Sequence, residues 1–311
     1  MTNPFLRIGT RGSPLALWQA HAVRSALCAV HAIAEEEVEI VIIKTTGDQV
    51  RDRALAEIGG KGLFTKEIEQ ALVENRVDVG VHSAKDVPTF LPEGLMLAAC
   101  LPRADVRDAL IAPGFVTFDA LPEGAVIGTA SVRRAALMKN MRPDVETVLL
   151  RGNVETRLRK VESGEMHATL LALAGLSRLG LSGHATEVFE TERMLPACGQ
   201  GTVALECRAD DVRTREKLAA IDHHTTSLAL AAERAMLAVL DGSCRTPIAG
   251  HAVLSDGWLS LRGLVVAPDG TAIWHGAAAG DAAAAEDIGK EVGGDLLARV
   301  PHGIIADGPR W

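Results

Sequence analysis

The chain has 311 residues, of which 48% are hydrophobic and 23% charged, and its formal net charge is -8. A chain of that length buries more than one core, so two or three domains are expected. The acidic balance argues against broad nucleic-acid binding, and no stretch reaches the roughly 18 uninterrupted apolar residues that a membrane helix needs. The opening MTNPFLRIGT lacks a basic start followed by an apolar run, so no signal peptide is expected. The five cysteines, Cys28, Cys100, Cys198, Cys207 and Cys244, are odd in number and form no CxxC pair. They make no disulfide framework and fit a reducing cytoplasm. The histidines have no metal-site spacing with cysteine or acid partners, and no metal is expected.

Strand-like and helix-like patterns then alternate. FLRIGTR reads as a strand. Ser13-Pro14 opens a helix, with serine as N-cap and proline at the first helical position. Leu15, Trp18, Ala22, Ala26, Val30 and Ile33 are expected to give that helix its apolar stripe. VEIVIIKT is a strand, FTKEIEQALVEN a helix, and VDVGVHS and LMLAACL are strands. The alternation continues through strand AVIGTAS, helix VRRAALMKN, strand ETVLLRG, helix VETRLRKVES and strand ATLLALA. This is the pattern of an α/β protein with largely buried sheets.

Two connections begin alike, LPRADVRDA from Leu101 and LPACGQGT from Leu195. Proline cannot continue a buried ladder, so both read as exits from a strand and as paired crossings between two α/β lobes. The expected domains are 1–101 with 200–221, then 102–199, then 222–311. In the last, the helix HHTTSLALAAERAMLAVLDG precedes three strands, IAGHAVLS, WLSLRGLVVAP and TAIWHGAAAG. The Asp256-Gly257 and Asp269-Gly270 turns between them suit antiparallel hairpins. An Ala-rich helix completes a small α+β domain.

In open α/β sheets, ligands gather at the carboxyl ends of strands. Arg11 and Ser13 follow the first strand, and His82, Ser83, Lys85 and Asp86 follow another. Thr129 and Ser131 occupy a strand-to-helix turn whose free backbone N–H groups suit an anion, with Arg133 and Arg134 next. Arg151 stands at a strand end. Arg157 lies on the flank of the following helix, whose core stripe is Val154, Leu158 and Val161. Between Thr129 and Lys160, eight basic residues stand against three acids, a local balance of +5. A solvated helical face is the plain reading of one such run. Three clusters at strand ends suit guanidiniums converging on planar carboxylates.

Asp86 precedes Val87-Pro88, and the residue before a proline is held extended, so its carboxylate sits on a stiff turn. It reads either as a turn cap or as a fixed charge able to steer protons. EIGGKGLFTKE is not a phosphate loop, because Leu55 stands where the motif needs its first glycine and Gly62 where it needs Ser or Thr. Its glycines and Lys61 suit a lid over a cleft. Cys244 lies on a Gly-Ser-Cys-Arg-Thr-Pro bend beside Arg245, whereas the other cysteines stand in apolar surroundings. These residues by themselves leave both a reactive and an inert cysteine open.

LRIGTRGSPLALWQA, GGKGLF, HSAKDVP, SVRR, RGNVETRL, LAGLSRLGL, LPACGQGTVALECR and AERAMLAVLDGSCRTPIAG occur in that order. Together they resemble the porphobilinogen deaminase (hydroxymethylbilane synthase) family over nearly the whole chain. The resemblance implies two hinged lobes like those of type II periplasmic binding proteins, plus a small α+β C-terminal domain. It implies a cytoplasmic, monomeric transferase of tetrapyrrole biosynthesis, working without nucleic acid or membrane. Such an enzyme joins four porphobilinogen units head to tail, releases ammonia each time and frees the product by adding water. The growing linear polypyrrole stays on a dipyrromethane cofactor held by a thioether, at the position of Cys244 here.

By the same resemblance, Asp86 matches the catalytic aspartate, facing pyrrole N–H groups and stabilising the cation formed as ammonia leaves. Arg11, Ser13, Lys85, Thr129, Ser131, Arg133, Arg134, Arg151 and Arg157 are implied as binders of the acetate and propionate arms. Those arms would repel one another without matching cations. Arg178 and Gln200 are implied at the cleft and Lys61 in the lid. Four positions depart from the family's pattern. Glu57 stands where lysine is common, Gly12 where a larger polar residue is expected, Ala130 where a serine is expected, and Ser243 where glycine is frequent. A solute-binding module on the same fold would also explain a cationic cleft, but gives Cys244 and Asp86 no purpose. A cysteine acyltransferase needs a histidine positioned by an acid, and the sequence assigns none.

Overall fold

The computed structural model describes residues 4–49, 62–240, 246–301 and 303–305. Lys61, Glu57, Ser243, Cys244 and Arg245 lie outside the described residues. The described chain forms two compact units, one from 4–49, 62–104 and 201–227, the other from the remainder.

The first unit begins with β1 (Leu6–Thr10), α1 (Pro14–His31), β2 (Val38–Ile42), α2 (Thr46–Gln49), α3 (Lys66–Val73), β3 (Val79–Ser83) and β4 (Leu95–Cys100). The expected cap is present: Ser13 Oγ accepts from the Ala16 N–H at 3.3 Å, and Pro14 opens α1. Ala32 ends the helix in the left-handed region, its N–H bonded to the Cys28 carbonyl. The expected apolar stripe is corrected. The residues of α1 that are buried are Ala16, Gln19, Ala20, Val23 and Leu27, while Trp18 and Val30 are exposed. Small alanines let the helix lie close to the sheet, and Gln19 is held there by donating to Ser83 Oγ at 2.8 Å.

The chain enters the second unit at residue 105 and runs through β5 (Asp108–Ile111), β6 (Val126–Gly128), α4 (Val132–Met141), β7 (Glu146–Val148) and α5 (Val154–Glu162). It continues with β8 (Ala168–Ala172), α6 (Leu173–Arg178) and β9 (Glu187–Val188). It rejoins the first unit at residue 201 for β10 (Val203–Arg208) and α7 (Val212–Ala219). α8 (His224–Val239) then leads to β11 (Ile248–Ser255), β12 (Trp258–Val266), β13 (Ile273–Asp281) and α9 (Ala285–Arg299).

The first unit's sheet has the order β2-β1-β3-β10-β4, and the second unit's larger sheet β7-β6-β8-β5-β9. In each, three parallel strands from successive β-α units stand beside one antiparallel strand, β10 or β5. That antiparallel strand is the first one after a passage between units. The two sheets are therefore built on one plan. Val23 and Leu27 of α1 pack on one face of the first sheet against Leu6, Ile8, Val79 and Leu205, while Ile68 and Leu72 of α3 join Ile43, Val77 and Leu95 in a second cluster.

The third sheet, β11-β12-β13, is an antiparallel meander. Asp256 and Gly257 both have positive φ and join Ser255 to its partner Trp258, the tight turn that the Asp-Gly pair predicts. The sheet has its own core with α8 and α9, built on Met236, Leu261, Val292 and Leu296. It is also continuous with its unit. Ala249, Leu264 and Val266 pack with Ile127 and Leu137 of the larger sheet's layer, and Asn140 donates to the Gly270 carbonyl at 2.8 Å.

Candidate active site

In the first unit, Arg11, Ser13, Thr65, His82 and Asp86 line an open pocket at the ends of β1 and β3. β3 stops at Ser83 and passes into a single 3-10 turn, Ala84–Asp86. Ala84 N–H donates to the Thr202 carbonyl at 3.0 Å, Val87 N–H donates to the Ala84 carbonyl at 3.2 Å, and Val87 is extended ahead of Pro88. The backbone on both sides of Asp86 is thus fixed. Its half-buried carboxylate has no hydrogen-bond or ion-pair partner among the described residues. Lys85 shares the turn and is half-buried. The Arg11 guanidinium lies over the Phe64 ring, 4.1 Å from its centre, a cation–π contact that sets its direction. Ser13 combines its pocket position with its role as the cap of α1.

In the second unit, the basic island divides. Arg142 pairs with Asp144, and Arg159 is exposed, as a solvated face requires. Arg133 and Arg134, on the first turn of α4, are instead 4% and 5% exposed. They converge on Asp108 at the head of β5, which is fully buried. Arg133 Nη2 donates to Oδ2 at 2.7 Å, and Arg134 donates to Oδ1 from Nη2 at 2.6 Å and from Nε at 3.1 Å. Gln200 Nε2 adds a bond to the same oxygen at 3.0 Å and one to the Val106 carbonyl at 2.7 Å. Leu195 and Leu170 carbonyls each accept one further guanidinium N–H at 2.8 Å.

Two cations thus share one described carboxylate, a surplus of one positive charge. Burial pushes Arg133 below its ordinary value, against the pull of Asp108. Arg133 Nε is buried without a partner among the described residues. Ser131 caps α4, its Oγ 3.4 Å from the Arg134 N–H, and Thr129 Oγ1 accepts from the Ser131 N–H at 3.1 Å.

Arg151 and Arg157 are half-buried, and Arg157 Nε is turned back onto the Gly152 carbonyl at 2.9 Å. Arg178 ends α6, and burial lowers its value. Cys100, Cys198 and Cys207 are buried; burial pushes the Cys207 thiol up to about 11, the mark of an inert packing cysteine. Two acids escape the sequence reading. Asp108 passes for a turn residue in VRDAL. Glu233 is fully buried, and its carboxylate accepts from Gly199 N–H at 2.6 Å and Ala252 N–H at 2.8 Å, bracing the loop that carries Gln200. The signal for both was an acid beside an otherwise apolar run.

Two family models match the chain. "Porphobilinogen deaminase, dipyromethane cofactor binding domain" covers residues 6–216, and "Porphobilinogen deaminase, C-terminal domain" covers residues 227–298. A porphobilinogen deaminase of Nitrobacter winogradskyi is 52% identical over 298 residues, 96% of this chain and 94% of its own length. The chloroplastic porphobilinogen deaminase of Oryza sativa is 50% identical over 305 residues, 96% of this chain and 85% of its own length. Among solved structures, an ABC-transporter periplasmic substrate-binding protein from Coxiella burnetii aligns at a TM-score of 0.43 and 13% identity, covering 74% of this chain and 96% of its own. A likeness that distant adds nothing to the fold, which rests on the sheet orders above.

Proposed function

The chain belongs to the porphobilinogen deaminase family, and from that premise we propose that Asp86 carries its chemistry and Cys244 its dipyrromethane cofactor. It is a transferase of the hydroxymethylbilane synthase type, joining four porphobilinogen units head to tail with loss of ammonia. That membership sets aside the solute-binding and acyltransferase readings.

The residues fit the cofactor. A dipyrromethane brings acetate and propionate arms, and the Arg133–Arg134–Asp108 cluster carries one cation more than its anion, with Arg133 Nε left over. An anionic arm offsets that surplus, whereas a neutral ligand would leave it uncompensated and a cationic one would worsen it. When bound, the dipyrromethane supplies the nucleophilic ring carbon that starts the chain. Arg11, Ser13, Lys85, Thr129, Ser131, Arg133, Arg134, Arg151, Arg157, Arg178 and Gln200 bind carboxylate arms of cofactor and substrate, and Lys61 is assigned to a lid by its place in GGKGLF alone. Cys244 is assigned by its place in AERAMLAVLDGSCRTPIAG.

Asp86 acts on the porphobilinogen pyrrole. Its turn is pinned on both sides, so its carboxylate needs no reorganisation to accept pyrrole N–H bonds. A fixed anion there lowers the energy of the positive charge that develops as the C–N bond breaks and ammonia leaves. The single observation that carries this reading is that carboxylate, partnerless among the described residues and lining a pocket with Arg11.

The protein works as three parts, 1–101 with 200–221, 102–199, and 222–311, and as a cytoplasmic monomer that binds neither nucleic acid nor membrane. The free thiols of Cys28 and Cys207 support a reducing compartment. None of the described helices is long and apolar enough to cross a membrane. The test of function is stoichiometric. Purified protein given porphobilinogen should release ammonia and a linear tetrapyrrole in a four-to-one ratio; porphobilinogen left unconsumed would overturn the reading.

A further inference from the structure

Beneath the pocket that holds Asp86 lies a group of ionisable side chains that the chemistry above does not use. Glu206 of β10 is fully buried, His82 of β3 is 5% exposed, and their Oε2 and Nε2 atoms lie 2.9 Å apart. They sit diagonally on adjacent antiparallel strands, because His82 is opposite Ala204 and Glu206 is opposite Gly80. The ring lies over Gly80: a Cβ there would come within 2.8 Å of His82 Nε2 and 2.9 Å of Ile68 Cγ2. From α3, Glu69 adds a second buried carboxylate.

Glu69 Oε1 and Glu206 Oε1 are both buried without a hydrogen-bond partner among the described residues. The charged groups acting on Glu69 are Glu206 from β10, His82 from β3 and Glu67 from its own helix. Neither buried acid forms an ion pair with a described arginine or lysine. With both acids ionised and the imidazole neutral, two buried negative charges would lie together with only the Thr65 hydroxyl beside Glu69 and one imidazole N–H beside Glu206 to offset them, which is unfavourable. Burial accordingly pushes the Glu69 carboxyl above its ordinary value.

We propose that Glu69, Glu206 and His82 share one proton at neutral pH and form the proton store of the pocket, with His82, which lines the pocket, as its point of exchange. At rest the group carries a charge of -1; taking up a second proton makes it neutral, a change that burial favours. The proposal rests on the reaction assigned above. In each condensation the C–N bond of the protonated aminomethyl group breaks, and ammonia leaves with the electron pair. The acceptor pyrrole carbon forms the new C–C bond and gives up one proton. That proton and the ammonia make ammonium, so what the store gains at one step it returns at the other, and no oxidant or reductant enters. Glu69 and Glu206 act through His82, as positioning residues for its proton.

Infrared difference spectroscopy on the holoenzyme, with isotope-labelled glutamate, reads the protonated carboxyl directly. The expected result is a carboxylic-acid band at neutral pH that Glu69→Gln removes. In that variant the kcat–pH profile should move by about one unit while KM changes less than about twofold, a split that a merely structural role would not produce. The band is read in the unmutated enzyme too, so its outcome does not depend on how the variant folds. Absence of the band from an active enzyme, or a Glu69→Gln profile superposing on the unmutated one, overturns the store alone. A band in a protein that consumes no porphobilinogen overturns the reaction reading, and the store's role with it.

Discussion

Arg134 grips Asp108 by a fork, with Nε and Nη2 at 3.1 and 2.6 Å from one carboxylate oxygen, while Arg133 takes the other oxygen at 2.7 Å. One anion therefore orients two cations inside the second unit before any ligand arrives. Asp108→Asn would leave both guanidiniums buried without their countercharge. Breaking a buried pair in this way costs about 3–5 kcal/mol, so the urea midpoint of Asp108→Asn should fall sharply. A midpoint equal to the parent's would mean the pair is dispensable.

Asp86→Asn keeps the shape of the turn and removes the fixed charge. Turnover should drop by at least roughly 10²-fold, with the cofactor still detectable by mass. Turnover near the parent's would remove Asp86 from the mechanism.

Gly80→Ala tests the packing of the buried histidine. The added methyl has no room between His82 Nε2 and Ile68, and overpacking of this kind costs about 1–3 kcal/mol. The His82 ring resonances in an NMR spectrum should shift as the ring leaves Glu206. Unchanged stability together with unchanged resonances would contradict the packing described.

The raised value of Glu69 has a sign that can be followed. The folded protein holds this proton over a pH window in which the unfolded chain has already released it. Its contribution to stability is complete below the unfolded value and is lost as pH rises through the folded one. Glu69→Gln should therefore flatten the decline in urea midpoint across that window. Parallel declines in parent and variant would show that Glu69 titrates as it does in the unfolded chain.

Much of the fold is legible in local sequence. The Ser13-Pro14 cap opens α1, the alternation marks β1 to β3 and β6 to β8, and Asp256-Gly257 closes its hairpin. What escapes is non-local. β5 and β9 are four and two residues long and exist through pairing with β8 and each other, so no periodicity marks them. Gln19 is buried because of Ser83, 64 residues away, which is why the stripe of α1 is misjudged from spacing alone. The site divides in the same way. Arg133 and Arg134 stand out as a basic pair after a strand, but Asp108 and Gln200, which hold them, come from elsewhere in the chain. Glu206 is hidden in a run of apolar neighbours whose strand gives no sign that His82 lies diagonally across from it.

The central claim is that Cys244 holds a small oligopyrrole whose acid arms are matched by the protein's guanidiniums. Intact mass spectrometry of the purified protein tests it most directly. The expected spectrum carries the polypeptide mass plus that of a dipyrromethane, and Cys244→Ser loses the addition along with activity. An active enzyme with the bare polypeptide mass would contradict the account.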